Sequence, residues 1–340
     1  MADWTEYSKP DPDLVPHLSK LPTLTFSKET LPEIRKALVE ATPHLQDALK
    51  SQLPPDNTYR VKDYNVPVDG GEILVRSLVP IPQDAEGKTF PLYVWYHGGG
   101  WCIGDVNMDD YRLRSICVDL QIAVLNVEYR LAPEYPLATI LNDSYAALKW
   151  AVENASLFSA SLEKGFIVGG ISAGAHLATL VAHWARDDAF FEGRKLTGQV
   201  LQLPGVVHPD AFPEKYKPTL SSVEQNKDAP ILNKAAVLGI GDIVGAEPND
   251  PNFSILLAPN HRDLPPAILQ VAGGDPLRDG GLLYDQLLRE SGVKTKLHVY
   301  PGMPHGGFNM FPGAGVYQKW ESDYTGGLGW LLSGATLDAY

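Results

Sequence analysis

The sequence predicts an α/β fold built on a mostly parallel sheet with helices on both faces, and three observations predict it. From Leu92 onward, short apolar runs alternate with helical segments, the pattern of strands buried on both sides. The apolar run Phe166 to Val168 leads into Gly170-Ile171-Ser172-Ala173-Gly174 and then the helix-like stretch His176 to Trp184. A strand, a serine between two glycines and a helix, in that order, make a nucleophile elbow. A second strand candidate, Leu92 to Tyr96, runs straight into His97-Gly98-Gly99-Gly100-Trp101, a bare backbone loop at a strand's carboxyl end.

Taken in order, residues 1 to 26 are rich in proline and polar groups and predict an irregular arm. Glu29 to Leu53 has an amphipathic helical period, with Thr30 and Glu33 spaced as a capping box, Pro32 in the first turn, and Pro43 expected to split it into two helices. Tyr59 to Val68 and Glu72 to Val79 flank Asp69-Gly70-Gly71 and predict an antiparallel hairpin. After the loop Pro80 to Pro91 the spacing predicts strand Leu92 to Tyr96, helix Met108 to Leu120, strand Ile122 to Val127 and helix Leu137 to Glu153. The elbow follows, then Val200 to Val207, a strand ending at Pro204-Gly205 or soon after. The alternation lapses from His208 to Asp263, where one helix is expected around Asn233 to Leu238. It resumes with strand Ala267 to Ala272, helix Gly280 to Ser291, strand Lys296 to Tyr300 and a closing helix Gly315 to Leu332. The chain thus predicts one α/β domain over 1–340, with the N-terminal arm (about 1–55) and the insertion (about 208–250) as lid candidates.

Composition narrows the function classes. A formal net charge of −13 with no run of Lys or Arg argues against nucleic-acid binding and against a polybasic membrane anchor. Met1 to Pro12 has acidic and polar residues where a secretory signal needs a basic flank and an apolar run, and no apolar stretch is long enough to span a membrane. A soluble, cytoplasmic protein without stable membrane insertion is the expectation, with a homodimer left open. Cys102 and Cys117 fit neither a disulfide framework nor a zinc pattern and read as buried fillers.

A serine hydroxyl needs a base to take its proton and an acid to hold that base in the right tautomer. In an open parallel sheet, the loops after the strands' carboxyl ends converge on one crevice. Two later strands end in suitable loops: Gly273-Gly274-Asp275-Pro276-Leu277-Arg278-Asp279 and Pro301-Gly302-Met303-Pro304-His305-Gly306. Ser172 as nucleophile, Asp275 as acid and His305 as base then follow in the chain order Ser, Asp, His. Asp279 is the rival acid, but at the expected start of a helix an N-cap role explains it. Backbone amides of Gly99, Gly100 and Ala173 are the candidate oxyanion donors. His97 and Gly98 are read as shaping that loop, and His176, one turn beyond Ser172, as packing.

Assembled, these residues resemble the hormone-sensitive-lipase-like family of α/β-hydrolases. The marks are His97 to Trp101, Tyr129-Arg130-Leu131-Ala132-Pro133-Glu134 with Pro136 and Asp143, the elbow, Asp275 to Asp279, and Gly302 to Gly306. The resemblance implies an eight-stranded hydrolase core, with a helical cap formed by the N-terminal arm and an insertion after the sixth strand. It also implies Ser172, Asp275 and His305 as the triad, and Gly99, Gly100 and Ala173 as oxyanion donors. Tyr129 to Glu134 with Asp143 would brace the active-site loops. Ile171 and Gly280 depart from one subgroup's pattern, which bears on substrate preference and not on the triad. The expected function is serine-dependent hydrolysis of a small to medium carboxylic ester, such as one from secondary metabolism, with no cofactor and no metal. Thioesters, lactones and an arylformamidase-like amide are the alternatives on the same triad. A ligand-binding receptor on this fold is the alternative of another class, and a cyclisation catalyst is a further one. Trp4, Tyr7, Phe26, Trp101, Phe212 and Tyr216 fall in segments expected to border the mouth, as lining or as cap packing.

Overall fold

The structure, a computed structural model, describes residues 3–84, 86–310 and 315–336; Met1, Ala2 and 337–340, at the ends of the single domain expected over 1–340, lie outside the described residues. Eight strands form one sheet in the order β1-β2-β4-β3-β5-β6-β7-β8. They are β1 (Tyr59–Val68), β2 (Gly71–Pro80), β3 (Leu92–Tyr96), β4 (Ala123–Glu128), β5 (Phe166–Ile171), β6 (Gly198–Gln202), β7 (Ala267–Ala272) and β8 (Thr295–Tyr300). Only β2 runs against its neighbours β1 and β4; every other pair is parallel.

Period-two alternation sorts the central strands between two cores. Leu92, Val94 and Tyr96 of β3 join one, while Tyr93 and Trp95 join the other. Helices α4 (Leu137–Glu153), α5 (Ala173–Asp187) and α8 (Arg278–Glu290) cover the first face, and α3 (Asp110–Asp119) with α9 (Gly315–Leu332) the second. Each large apolar side chain buried this way contributes roughly 1.5–3 kcal/mol, which holds the strand ends, and so the loops leaving them, in fixed positions.

The remaining helices are α1 (Val15–Leu18) and α2 (Leu31–Leu49) in the arm, and α6 (Ser222–Gln225) and α7 (Lys234–Val244) in the insertion. Arm and insertion pack on each other. Ile231 N donates to Pro22 O at 2.7 Å, and a Cβ on Gly239 would stand 2.0 Å from Phe26 O.

The structure departs from expectation at several elements. Pro43 does not divide the arm helix, which runs unbroken as α2; it lies on the exposed side of the helix next to Val39, itself 66% exposed, where water can serve a carbonyl that lacks an amide partner. Thr30 is the N-cap but makes no capping bond, since its hydroxyl donates to Thr25 O. The insertion helix extends well beyond Leu238, because Gly239 and Gly241 serve close packing there instead of breaking it; Asn233 caps its start and Gly245, at φ 63°, its end. Strand β6 stops at Gln202 because Leu203 turns into the left-handed region, at φ 51°.

Acid is expected to loosen the contact between α5 and the chain leading into β7. His176 Nε2 meets Phe253 O at 3.1 Å, and His183 Nε2 meets His261 Nδ1 at 3.2 Å. Burial holds all three imidazoles down to a pKa of about 4 against an ordinary 6.5. The unfolded chain therefore binds more protons between those values, so stability is full above about pH 6.5 and falls as pH drops toward 4. Each histidine contributes a loss of up to about 1.4 kcal/mol per pH unit. Urea midpoints measured from pH 7.5 to 4.5 should fall steadily, and a flat profile would contradict this account.

Candidate active site

The site begins at the elbow. Ser172 sits at φ 56°, ψ −117° between β5 and α5, a backbone conformation that needs surrounding support. Its own amide supplies part of it, donating to Gln202 O at the end of β6 at 2.7 Å. The flanking glycines allow the turn. A Cβ on Gly174 would lie 1.9 Å from Tyr96 O, and one on Gly170 would lie 2.3 Å from the carbonyl of Gly174, so β3, β5 and α5 meet only if both positions are bare.

Two loops bring partners to the hydroxyl. His305, after β8, places Nε2 2.8 Å from Ser172 Oγ, and its Nδ1 lies 2.6 Å from Asp275 Oδ2, after β7. The other oxygen of Asp275 accepts the Leu277 amide at 2.8 Å, which fixes the carboxylate's orientation. Asp275 and His305 are both buried. The two loops are tied to each other, Gly274 N donating to Met303 O, and to the arm, Gly302 N donating to Tyr7 O at 2.7 Å.

Opposite the serine, Gly99 and Gly100 take φ values of 113° and 58°. A Cβ on Gly99 would lie 2.1 Å from Ile103 O. The amides of Gly99, Gly100 and Ala173 donate to no other described residue, so three N–H groups remain available near Ser172. His97 lies outside the reacting group; its ring stacks on Tyr129 at 4.3 Å, and the Tyr129 hydroxyl donates to His97 O at 2.7 Å. Gly98 fits beneath the elbow, where its Cβ would stand 3.1 Å from Ile171 O.

The Tyr129 to Glu134 stretch fastens this loop. Arg130 grips the buried Asp143 with two bonds of 2.7 and 2.6 Å. Arg35, from α2 of the arm, donates to Cys102 O, Ala132 O and both oxygens of Glu134. Burial pushes both the Cys102 and Cys117 thiols up to about 12, so neither carries a thiolate at neutral pH.

Asp279 has a different role from the one expected. Helix α8 already begins at Arg278, so Asp279 is not its N-cap. Its Oδ2 accepts the amides of Ser221 and Ser222, each at 2.7 Å, while Oδ1 accepts Arg278 Nε. Arg278 also donates to Ser8 of the arm and Gln225 of the insertion. The pair therefore moors both outer segments to the loop that carries Asp275.

A cavity of about 60 Å³ opens on Ser172. Of the six aromatics singled out from the sequence only Trp101 lines it, joined by Phe253, Leu232, Ile240 and His208. Sequence reasoning missed these four; the one available signal was the apolar helix period around Asn233 to Leu238, which α7 continues to Ile240. A groove of about 440 Å³ between Arg35 and Arg130 is larger but does not reach Ser172. Among the described residues, no group of three or more His, Cys, Asp or Glu is placed to hold a metal ion, and no helix is long and apolar enough to cross a membrane.

Comparison with known proteins agrees with this fold. The family described as alpha/beta hydrolase fold matches residues 93–309. The solved structure of a vibralactone cyclase superposes with a TM-score of 0.92 at 42% identity, covering 96% of this chain and 96% of that one. A versiconal hemiacetal acetate esterase of Dothistroma septosporum is 34% identical over 301 residues, 87% of this chain and 89% of its own. Carboxylic ester hydrolase LipN of Mycobacterium tuberculosis is 34% identical over 284 residues, 81% of this chain and 71% of its own.

Proposed function

Since the chain belongs to the hormone-sensitive-lipase-like family of α/β-hydrolases and is a hydrolase enzyme, we propose that it cleaves a short-chain carboxylic ester through a covalent acyl-serine. The observation that carries the proposal is the continuous chain of contacts from Ser172 Oγ to His305 to Asp275, at 2.8 and 2.6 Å. Asp275 accepts a hydrogen bond from His305 Nδ1–H, which holds the proton on Nδ1 and leaves Nε2 with a lone pair toward the hydroxyl. Ser172 Oγ attacks the carbonyl carbon as its proton passes to Nε2. The charge that develops on the carbonyl oxygen is met by the amides of Gly99, Gly100 and Ala173. As the tetrahedral species collapses, His305 returns the proton to the departing alkoxide. Water then attacks the acyl carbon as it gives a proton to the same nitrogen, and His305 returns that proton to Ser172 Oγ as the bond from Oγ to the acyl carbon breaks and the acid leaves.

Substrate size follows from the cavity. At about 60 Å³ it is well below the roughly 300–1,000 Å³ of typical ligand pockets, which favours a small acyl group. Acetyl and butanoyl p-nitrophenyl esters should therefore exceed the octanoyl ester in kcat/KM by tenfold or more, on the order of the cost of overpacking a filled site. A preference for octanoyl would count against a small acyl pocket. A fluorophosphonate probe should label Ser172, which separates an esterase from a ligand-binding receptor on the same scaffold.

The similarity to a vibralactone cyclase favours one second reading. The same acyl-serine can be attacked by a hydroxyl of the substrate itself, giving a ring instead of an acid. Both readings label equally, and analysis of the product distinguishes them.

A further inference from the structure

Most of the cavity beside Ser172 is apolar, and among its lining side chains His208 is the one titratable group other than the nucleophile's own hydroxyl. Its position is built, not incidental. The His208 amide donates to Ser254 Oγ at 3.0 Å, and the Asp210 amide donates to His208 Nδ1 at 3.1 Å. A ring nitrogen that accepts an amide hydrogen carries no proton, so in the neutral imidazole the proton sits on Nε2. Burial lowers the pKa of this histidine, with Asp210 and Asp242 acting in the opposite sense, and the neutral form prevails at pH 7.

That Nε2–H has no hydrogen-bond partner among the described residues. Gly241, another lining position, lets α7 approach the ring without covering this nitrogen, since a Cβ there would crowd Nε2 at 3.2 Å. Trp101, in the same wall, has an indole Nε1 that is buried and likewise unpartnered. His208 Nε2 is not fully buried, so its N–H is open to an incoming acceptor, while the Trp101 donor is buried without one, a state that is costly until an acceptor arrives. An acyl oxygen acceptor would relieve that cost.

The cavity's place relative to the triad says which half of the substrate it takes. The departing alkoxide must collect its proton from His305, so the alcohol lies on the His305 side. His305 does not line this cavity, whereas Gly100 and Ala173 do. The group that fills it is the acyl half.

We propose that His208 is a specificity-determining residue whose Nε2–H recognises an oxygen within the acyl group, so that the preferred substrates are esters of short oxygenated acids, keto or alkoxy, over plain alkanoates of equal size. The inference rests on the acyl-serine reading above. It is tested with two isosteric pairs of p-nitrophenyl esters, methoxyacetate against butyrate and 4-oxopentanoate against 4-methylpentanoate. Within each pair, the kcat/KM ratio in the wild type divided by the ratio in His208→Phe cancels the esters' intrinsic reactivity. For at least one pair this double ratio should be about tenfold in favour of the oxygenated ester, and His208→Gln, which keeps an amide N–H near the same place, should recover most of it. Should the phenylalanine fail to pack, His208→Asn, whose amide stops one atom short, takes its place, with fluorophosphonate labelling confirming a folded site. A double ratio near one for both pairs overturns the proposal while leaving Ser172-dependent hydrolysis intact. Turnover that survives in Ser172→Ala, or no turnover of any of the four esters by the wild type, instead overturns the acyl-serine reading beneath it.

Discussion

Ser172→Ala should lower kcat for p-nitrophenyl acetate by roughly 10⁴- to 10⁶-fold and leave the fold in place. The hydroxyl supplies the reacting atom, and the neighbouring residues offer no substitute: His176 is turned away to Phe253 O, and the Cys102 thiol is pushed up to about 12 by burial. Removing one oxygen forfeits a single contact with His305, on the order of 1 kcal/mol, so the thermal midpoint should move by only a few degrees. The strained backbone at position 172 is imposed by β5, α5 and the Gln202 bond, none of which depends on the side chain. Residual activity should come from the three amides alone, still above water. Activity within tenfold of the wild type, in protein verified by mass to carry alanine, would falsify the acyl-serine mechanism.

How much of this was legible in the sequence differs between the two halves of the molecule, and for a physical reason. Ser172, Asp275 and His305 each lie within a few residues of the end of an apolar run, so strand periodicity alone places them at one edge of one sheet. The glycines of the elbow and of Gly99-Gly100 could be read because contact distances such as 1.9 Å from Gly174 to Tyr96 O tolerate no other residue. The wall of the cavity was not legible. His208, Leu232 and Phe253 lie outside any period and Ile240 just past the one read at Asn233 to Leu238, and they are brought together by the packing of an insertion that the arm meets through contacts such as Ile231 N to Pro22 O. No spacing rule encodes a pairing between segments about two hundred residues apart. Asp279 was misread on the same ground: a local capping signal was visible, whereas its partners Ser221 and Ser222, 58 and 57 positions away, were not.

That misreading sets up a paired expectation for the two aspartates of one loop, because they are separated by only four positions and differ in what they hold. Asp275→Asn should reduce kcat by about 10⁴-fold with little change in stability. An asparagine amide can donate to His305 Nδ1, which then keeps its lone pair there and carries its proton on Nε2, the nitrogen that must receive the proton of Ser172. Asp279→Asn should do the reverse. Arg278 has a fully buried side chain whose Nε faces Asp279 Oδ1 at 2.7 Å, and removing the carboxylate leaves that charge facing a neutral amide. Breaking a buried pair from one side costs about 3–5 kcal/mol, and here the loss also slackens the bonds to Ser221 and Ser222 that anchor the insertion. Denaturant midpoints and kcat per mole of folded protein separate the two effects, since the first reads the mooring of the insertion and the second the activation of Ser172 by His305. If Asp279→Asn instead abolished turnover at unchanged stability while Asp275→Asn kept it, the acid of the triad would be Asp279, and the 2.6 Å contact between Asp275 and His305 would have no part in the chemistry.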